Sequence, residues 1–305
     1  MRSTHGKLRF SYLMMAILFV VIVTVLLVGI WASYETSRSN LETNAVQLRN
    51  MTEAHINTSF RMIDTSLKIY DSTYNEEMED AFVFVMDEYN RTGGDPSLMD
   101  LEGLKRVTGG MDVYVINDSC IIEYTSNLPD LGLDFRVIYP DFAVYLNRIR
   151  NTSGFYPDRV VPDWVKKTWT KYSYMPTPDH RYIIELGLRS GRFAGERKEL
   201  IQYSDVVDEV RTFNPYLDEV LVFQKQKRLV DNLSYVPTPE DSAMLDYILW
   251  ENRSTQVVRD SVAGRTVVWE VVELRDPDYA ADLSRFAKLT YNDACLLYTS
   301  DAADE

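Results

Sequence analysis

Histidine and cysteine are scarce in this chain: 305 residues hold three of the first and two of the second. Two cysteines exclude a disulfide scaffold. The histidines, His5, His55 and His180, share no metal-ligand spacing, and no Gly-x-Ser-x-Gly, glycine-rich phosphate loop or calcium loop occurs. No catalytic residue, metal ligand or cofactor is therefore assigned. Basic residues are also few, 32 against 46 acidic ones, giving a formal net charge of −14. That balance leaves no basic face for phosphates and argues against nucleic acid as a partner. With only 13 glycines and 12% aromatics, the composition is neither fibrous nor disordered.

Charge is missing altogether between Phe10 and Tyr34. The run Leu13–Val23 followed by Val25–Val28 is apolar enough, and long enough, to cross a bilayer, which takes about 20 residues against about 7–15 for the core of a signal peptide. Tyr12, Trp31 and Tyr34 stand where interfacial aromatics belong, and Arg2, Lys7 and Arg9 precede the run. The reading is an uncleaved membrane anchor with its N-terminus cytoplasmic, so that residues 35 onward lie outside. Asn-x-Ser/Thr sequons at Asn50, Asn57, Asn90, Asn117, Asn151, Asn232 and Asn252 fit an exported chain.

Beyond the anchor, Leu41, Ala45, Leu48, Ile56, Phe60, Ile63, Leu67, Tyr70 and Tyr74 recur at spacings dominated by three and four, and no proline precedes Pro96. This is an amphipathic helix, Ser33 to about Asp71, roughly 57 Å long at 1.5 Å per residue. Its apolar stripe makes it the expected surface of a homodimer. A second helix is expected over Asn75–Asn90. The period then changes to strands: Met111–Ile116 and Cys120–Thr125 around an Asn117-Asp118-Ser119 turn, a helix near Asp141–Arg150, then Thr168–Met175 and Arg181–Leu188. The same order returns after a linking helix, Glu196 to Arg211. Leu217–Phe223 and Lys227–Val230 form a hairpin, Pro239–Asn252 a helix, and Gln256–Val262 pairs with Arg265–Leu274 across Ala263-Gly264. Two hairpin–helix–hairpin units predict an α+β fold with two sheet modules.

The stretch Asp112-Val113-Tyr114-Val115-Ile116-Asn117-Asp118-Ser119-Cys120-Ile121-Ile122 with the following Ser126-Asn127 and Leu131-Gly132 resembles the first hairpin of the double Cache family, PAS-like extracytoplasmic sensors of prokaryotic receptors. Asn117 takes the place of the family's aspartate and Cys120 that of its glycine. Tyr172-Ser173-Tyr174 and Tyr182–Leu186 resemble the strands behind the family's ligand pocket. The likeness covers about residues 12–290. It implies a cytoplasmic tail (1–10), a transmembrane helix (11–33), long and connecting helices (34–91), a membrane-distal module (92–190), and a linking helix with a membrane-proximal module (191–290).

The resemblance further implies a small-molecule ligand in the distal module. Stretch 139–185 is rich in the aromatic and polar groups such pockets combine. The candidates are Tyr145, Arg148, Trp164, Trp169, Tyr172, Tyr174 and Glu185, with Asp205 as a late acid. On a strand, Thr170, Tyr172 and Tyr174 share a face. Family members that bind amino acids carry an Arg-x-Trp-aromatic run; here Arg159 and Trp164 are five apart, so the ligand class stays open.

Residues Cys295–Glu305 resemble a translated sequencing adapter, so the native sequence is expected to run to about Ala294 and to continue past it, into a second span and an output domain of undetermined type. The expectation is the sensing region of a transmembrane receptor, without enzymatic activity of its own. The alternatives are a membrane-anchored surface or adhesion protein and an anchored extracytoplasmic hydrolase.

Overall fold

The computed structural model describes residues 4–162, 168–200, 203–232, 234–250, 254–260 and 264–292. Trp164, the Asn252 sequon, Ala263 in the expected turn, part of the linking-helix stretch (201–202) and the adapter-like C-terminus lie outside the described residues.

One helix, α1 (Thr4–Ser72), runs without interruption from the apolar stretch into the folded part. Its 69 residues extend about 100 Å at 1.5 Å per residue. The apolar window near its N-terminus is long and apolar enough to cross a membrane, and none of it is covered by the rest of the chain. Higher up, Ile56, Phe60, Ile63 and Leu67 are buried. The expected end near Asp71 and the following helix, α2 (Asn75–Arg91), are both present.

A short helix, α3 (Leu101–Val107), is capped by Asp100, whose carboxylate accepts from the Gly103 N–H. Strands β1 (Asp112–Ile116) and β2 (Ile122–Thr125) follow, then helices α4 (Phe135–Ile138) and α5 (Pro140–Arg150), then β3 (Tyr156–Pro162), β4 (Trp169–Pro176) and β5 (Ile183–Arg189). These strands form one antiparallel sheet in the order β2-β1-β5-β4-β3. The turn between β1 and β2 holds Cys120 at φ +57°, the left-handed conformation for which glycine is the usual residue. Asn117 offsets this strain, since its side-chain oxygen accepts from the N–H groups of Ser119 and Ile121.

Helices α6 (Arg192–Leu200) and α7 (Tyr203–Phe213) lead to β6 (Leu217–Gln224), α8 (Pro239–Trp250), β7 (Gln256–Asp260), β8 (Arg265–Val272) and β9 (Arg285–Asn292). The second sheet is antiparallel in the order β6-β9-β8-β7. The fold is therefore α+β with two antiparallel sheets, as expected.

Three elements differ from the sequence reading, each for a physical reason. Strand β3 went unassigned because Pro157 and Pro162 argue against a strand; it lies at the sheet edge, where a missing N–H is tolerated. Residues 227–230 do turn back on β6, with Gln224 N–H donating to the Arg228 carbonyl and Val230 N–H to the Val222 carbonyl around a turn closed by Lys227 at φ +59°, but the return strand amounts to a single Phe223–Leu229 bridge. The place between β6 and β8 belongs to β9, whose pairing is entirely long-range.

The first sheet has two unlike faces. One, with Val113, Val115, Ile184, Leu186 and Leu188, packs with Met78, Phe82 and Val85 of α2. The other, with Tyr114, Ile116, Tyr174 and Ile183, packs with Phe135, Ala143, Tyr145 and Leu146 from α4 and α5. The buried stripe of α1 packs with Val268 and Val272 of β8 and with Val206 and Val210 of α7.

Candidate functional site

The second of these faces, between the first sheet and α4–α5, gathers the chemistry. Alternation along the strands sends Tyr114 (β1), Thr170, Tyr172 and Tyr174 (β4), and Glu185 (β5) to this side. Register sets Glu185 directly between Tyr114 and Tyr174. Gly187, opposite Tyr172, has no side chain to hold the rings off: an added Cβ would lie 3.3 Å from Tyr172 Cε1 and 3.4 Å from Tyr114 Cε2. From α5, Tyr145 meets Tyr174 edge-on with centroids 5.9 Å apart, and Phe142 lies 5.3 Å from Tyr174.

Acidic groups are set among these rings. Glu185 is buried, and one of its carboxylate oxygens has no hydrogen-bond partner. Asp158 is buried; it accepts from the N–H groups of Arg159 (2.8 Å) and Ala281 (3.0 Å) and from Tyr174 Oη (3.3 Å). Asp130 accepts from Tyr114 Oη at 3.2 Å and from the Asn127 amide. Tyr114 Oη also accepts from Arg189 at 3.3 Å. Burial, then the charges of Asp158 and Asp130, push the Glu185 carboxyl from 4.5 up to about 8. Burial also raises Asp158 above the ordinary carboxylate range. At the end of this face Asp112 is neutralised by Arg189 (2.5 Å) and Lys105 (2.7 Å). Asp130, Asp158 and Glu185 form no ion pair among the described residues. Tyr145 Oη and Thr170 Oγ1 are likewise buried without a partner.

A bulge in β3 between Pro157 and Val160 puts consecutive residues to opposite uses. Asp158 joins the inner face, while Arg159 reaches α1: its guanidinium donates to Asp71 at 2.7 Å and to Asp64 at 2.8 Å, all three groups being buried. Arg197 of α6 also pairs with Asp71 and lies 5.1 Å over the Trp169 ring. Lys171 donates to the Asp158 carbonyl at 2.7 Å, and burial brings its ammonium down to about 8. The inner face and the long helix are thus one residue apart.

Of the sequence candidates, Tyr145, Tyr172, Tyr174 and Glu185 come together here. Trp169 lies on the opposite face, packed with the α2 side. Arg148 is exposed, 5.0 Å over the Tyr145 ring, and donates to the Pro277 carbonyl at 2.5 Å. Asp205 is an exposed residue in the first turn of α7, away from the first sheet. Asp112, Tyr114, Asn127, Asp130, Asp158 and Arg189 belong to the constellation but were not among the candidates. The alternation Asp112-x-Tyr114-x-Ile116 carried the signal for Tyr114, whereas the prolines of β3 hid Asp158. Among the described residues no group of acids, histidines and cysteines could hold a metal ion.

No protein-family model matches the chain, and no curated protein matches it. Among solved structures it is similar to the sensory domain of the Campylobacter jejuni chemoreceptor Tlp3 (CcmL), at 10% identity and a TM-score of 0.37, covering 83% of this chain and 98% of that one. The same domain in complex with L-valine aligns at 11% identity and a TM-score of 0.36, over 83% and 97%. An extracellular ligand-binding receptor from Desulfohalobium retbaense DSM5692 aligns at 13% identity and a TM-score of 0.30, over 80% of this chain and 39% of that one. The chain thus spans about two fifths of the length of that receptor. Such scores lie below the level at which two chains share a superposable fold, so the functional reading rests on the site itself.

Proposed function

We propose that the chain is the small-molecule-sensing region of a transmembrane signalling receptor, its two sheet modules outside the membrane and its ligand on the inner face of the first sheet. One observation carries this reading: three carboxylates, Asp130, Asp158 and Glu185, converge among tyrosines and form no ion pair among the described residues, the cation beside them being Lys171, which donates to the Asp158 backbone carbonyl and not to its carboxylate. A buried carboxylate left in this state is costly, and a ligand bearing a positive group is what would offset that cost. Tyr114, Tyr145, Tyr172 and Tyr174 supply the apolar walls and hydroxyls that fix such a ligand's orientation. Asp205 and Arg148 lie apart from this pocket, and Trp169 would shape it only from behind.

Ligand binding shifts a receptor only through unequal affinity for two conformations. The bulge of β3 is the element that supports such a shift. A cation drawing on Asp158 would move the residue joined to Arg159, and so the grip on Asp64 and Asp71 of α1. The helix continues from there to the apolar stretch. Module boundaries at residues 92–190 and 191–290 follow from this reading, as does a homodimer through α1. Ile56, Phe60, Ile63 and Leu67 are taken up by the chain's own core, so the dimer contact falls on the lower stretch around Leu41, Ala45 and Leu48. The membrane orientation is tested by adding protease to sealed cells. Digestion of the bulk of the chain is expected, and survival of the bulk overturns the reading.

A further inference from the structure

A cleft opens at the edge of the inner face, sharing Ile149 and Tyr156 with that face's core but none of its carboxylates. It encloses about 480 Å³ between the end of α5, the start of β3 and the segment joining β8 to β9. Ile149, Phe155 and Tyr156 line one side, Asp278 and Tyr279 the other, with Arg148 at the rim. A volume of that size lies in the range of small-molecule sites, about 300–1,000 Å³.

Three features set this cleft apart from a surface groove. Arg148 and Asp278 carry opposite charges and both line it, and among the described residues no ion pair joins them. The guanidinium is held in place by two contacts of its own, the Tyr145 ring beneath it and the Pro277 carbonyl. The opposing wall is also anchored. Asp276 pairs with Lys68 of α1 at 2.9 Å, the Tyr279 ring lies 5.6 Å from the Arg159 guanidinium, and the Ala281 N–H donates to Asp158. Both walls are therefore positioned before any ligand arrives, which lowers the cost of binding.

We infer that this cleft is a second binding site, for a small zwitterion with an apolar body. A carboxylate would meet Arg148, an ammonium would meet Asp278, and the apolar part would lie against Ile149, Phe155 and Tyr156. A ligand there bridges α5 and β3 to the β8–β9 segment and ties the two sheets together at the point where Lys68 and Arg159 reach α1. The site shares no carboxylate with the inner face, and Tyr145 beneath Arg148 and Asp158 holding the Ala281 N–H join the two.

The test is calorimetric titration of the full chain in lipid nanodiscs with L-leucine, L-phenylalanine and L-leucyl-L-leucine as probes. Saturable binding of at least one probe is expected. Asp278→Asn, an isosteric change at an exposed position, and Arg148→Gln should each weaken it about tenfold, the usual cost of a lost charge-assisted hydrogen bond. Asp205→Asn, at an exposed position in the first turn of α7 outside the cleft, should leave it unchanged. Absence of binding by all three probes overturns the inference. So does binding that survives both Asp278→Asn and Arg148→Gln, or that is lost only in Glu185→Gln.

Discussion

Replacing Glu185 by glutamine should stabilise the ligand-free protein, and the gain should depend on pH in a defined sense. In the folded chain this carboxyl titrates at about 8, while its ordinary value is 4.5. Between those values the folded state binds a proton that the unfolded state has released, so folding stability falls as pH rises through that window. Each unit of separation is worth about 1.36 kcal/mol, and at pH 7 the loss reaches about 3 kcal/mol. Glutamine keeps the shape and the hydrogen-bonding capacity of the protonated acid but has no proton to lose. Wild type and Glu185→Gln should therefore be equally stable near pH 4.5 and diverge to about 3 kcal/mol at pH 7. Asp158 and Glu53 are also raised, the latter to about 7, and add their own fall with pH. Glu53 contributes equally to both proteins, whereas Asp158 is coupled to Glu185, so the difference between the two curves reports Glu185 together with its repulsion by Asp158. Denaturant unfolding of the full chain in nanodiscs, repeated across pH 4.5–8, measures it. Two parallel curves would refute the placement of an uncompensated carboxyl on the inner face.

Two further outcomes follow from the same geometry. Arg159→Ala leaves Asp64 and Asp71 buried with only Lys68 and Arg197 as partners, and should cost about 3 kcal/mol in urea unfolding; a loss below about 1 kcal/mol would contradict the account of this junction. Cysteines introduced singly at Leu41, Ala45 and Leu48 should crosslink α1 to a second copy under oxidation, whereas cysteines at Ile56, Phe60 and Leu67, buried in the chain's own core, should not. The reverse pattern would place the dimer contact elsewhere.

Much of the architecture was legible because it is written in local periodicity. The spacing of three and four from Leu41 to Tyr74 located the long helix, and its end near Asp71 falls one residue short of the observed Ser72. Strand alternation in β4 put Tyr172 and Tyr174 on one face, where they are found. What was not legible depends on distant partners. Strand β9 joins β6 and β8 across long loops, and nothing near Arg285–Asn292 announces that place. Prolines at 157 and 162 masked β3, because local preference argues against strand until a sheet edge accepts them. Asp158 was lost with that strand. Arg148 reads as a pocket residue by composition, but its place one turn beyond Tyr145 on α5 aims it at the β8–β9 segment.

The central claim is that the inner face of the first sheet binds a small solute bearing a positive group. Titrating the full chain in nanodiscs with small organic amines, in two buffers of different ionisation enthalpy at pH 7, tests it most directly. The account predicts that at least one amine binds with release of close to one proton, and that Glu185→Gln abolishes both the release and most of the affinity. Binding with no proton release, or no binding by any amine, would contradict it.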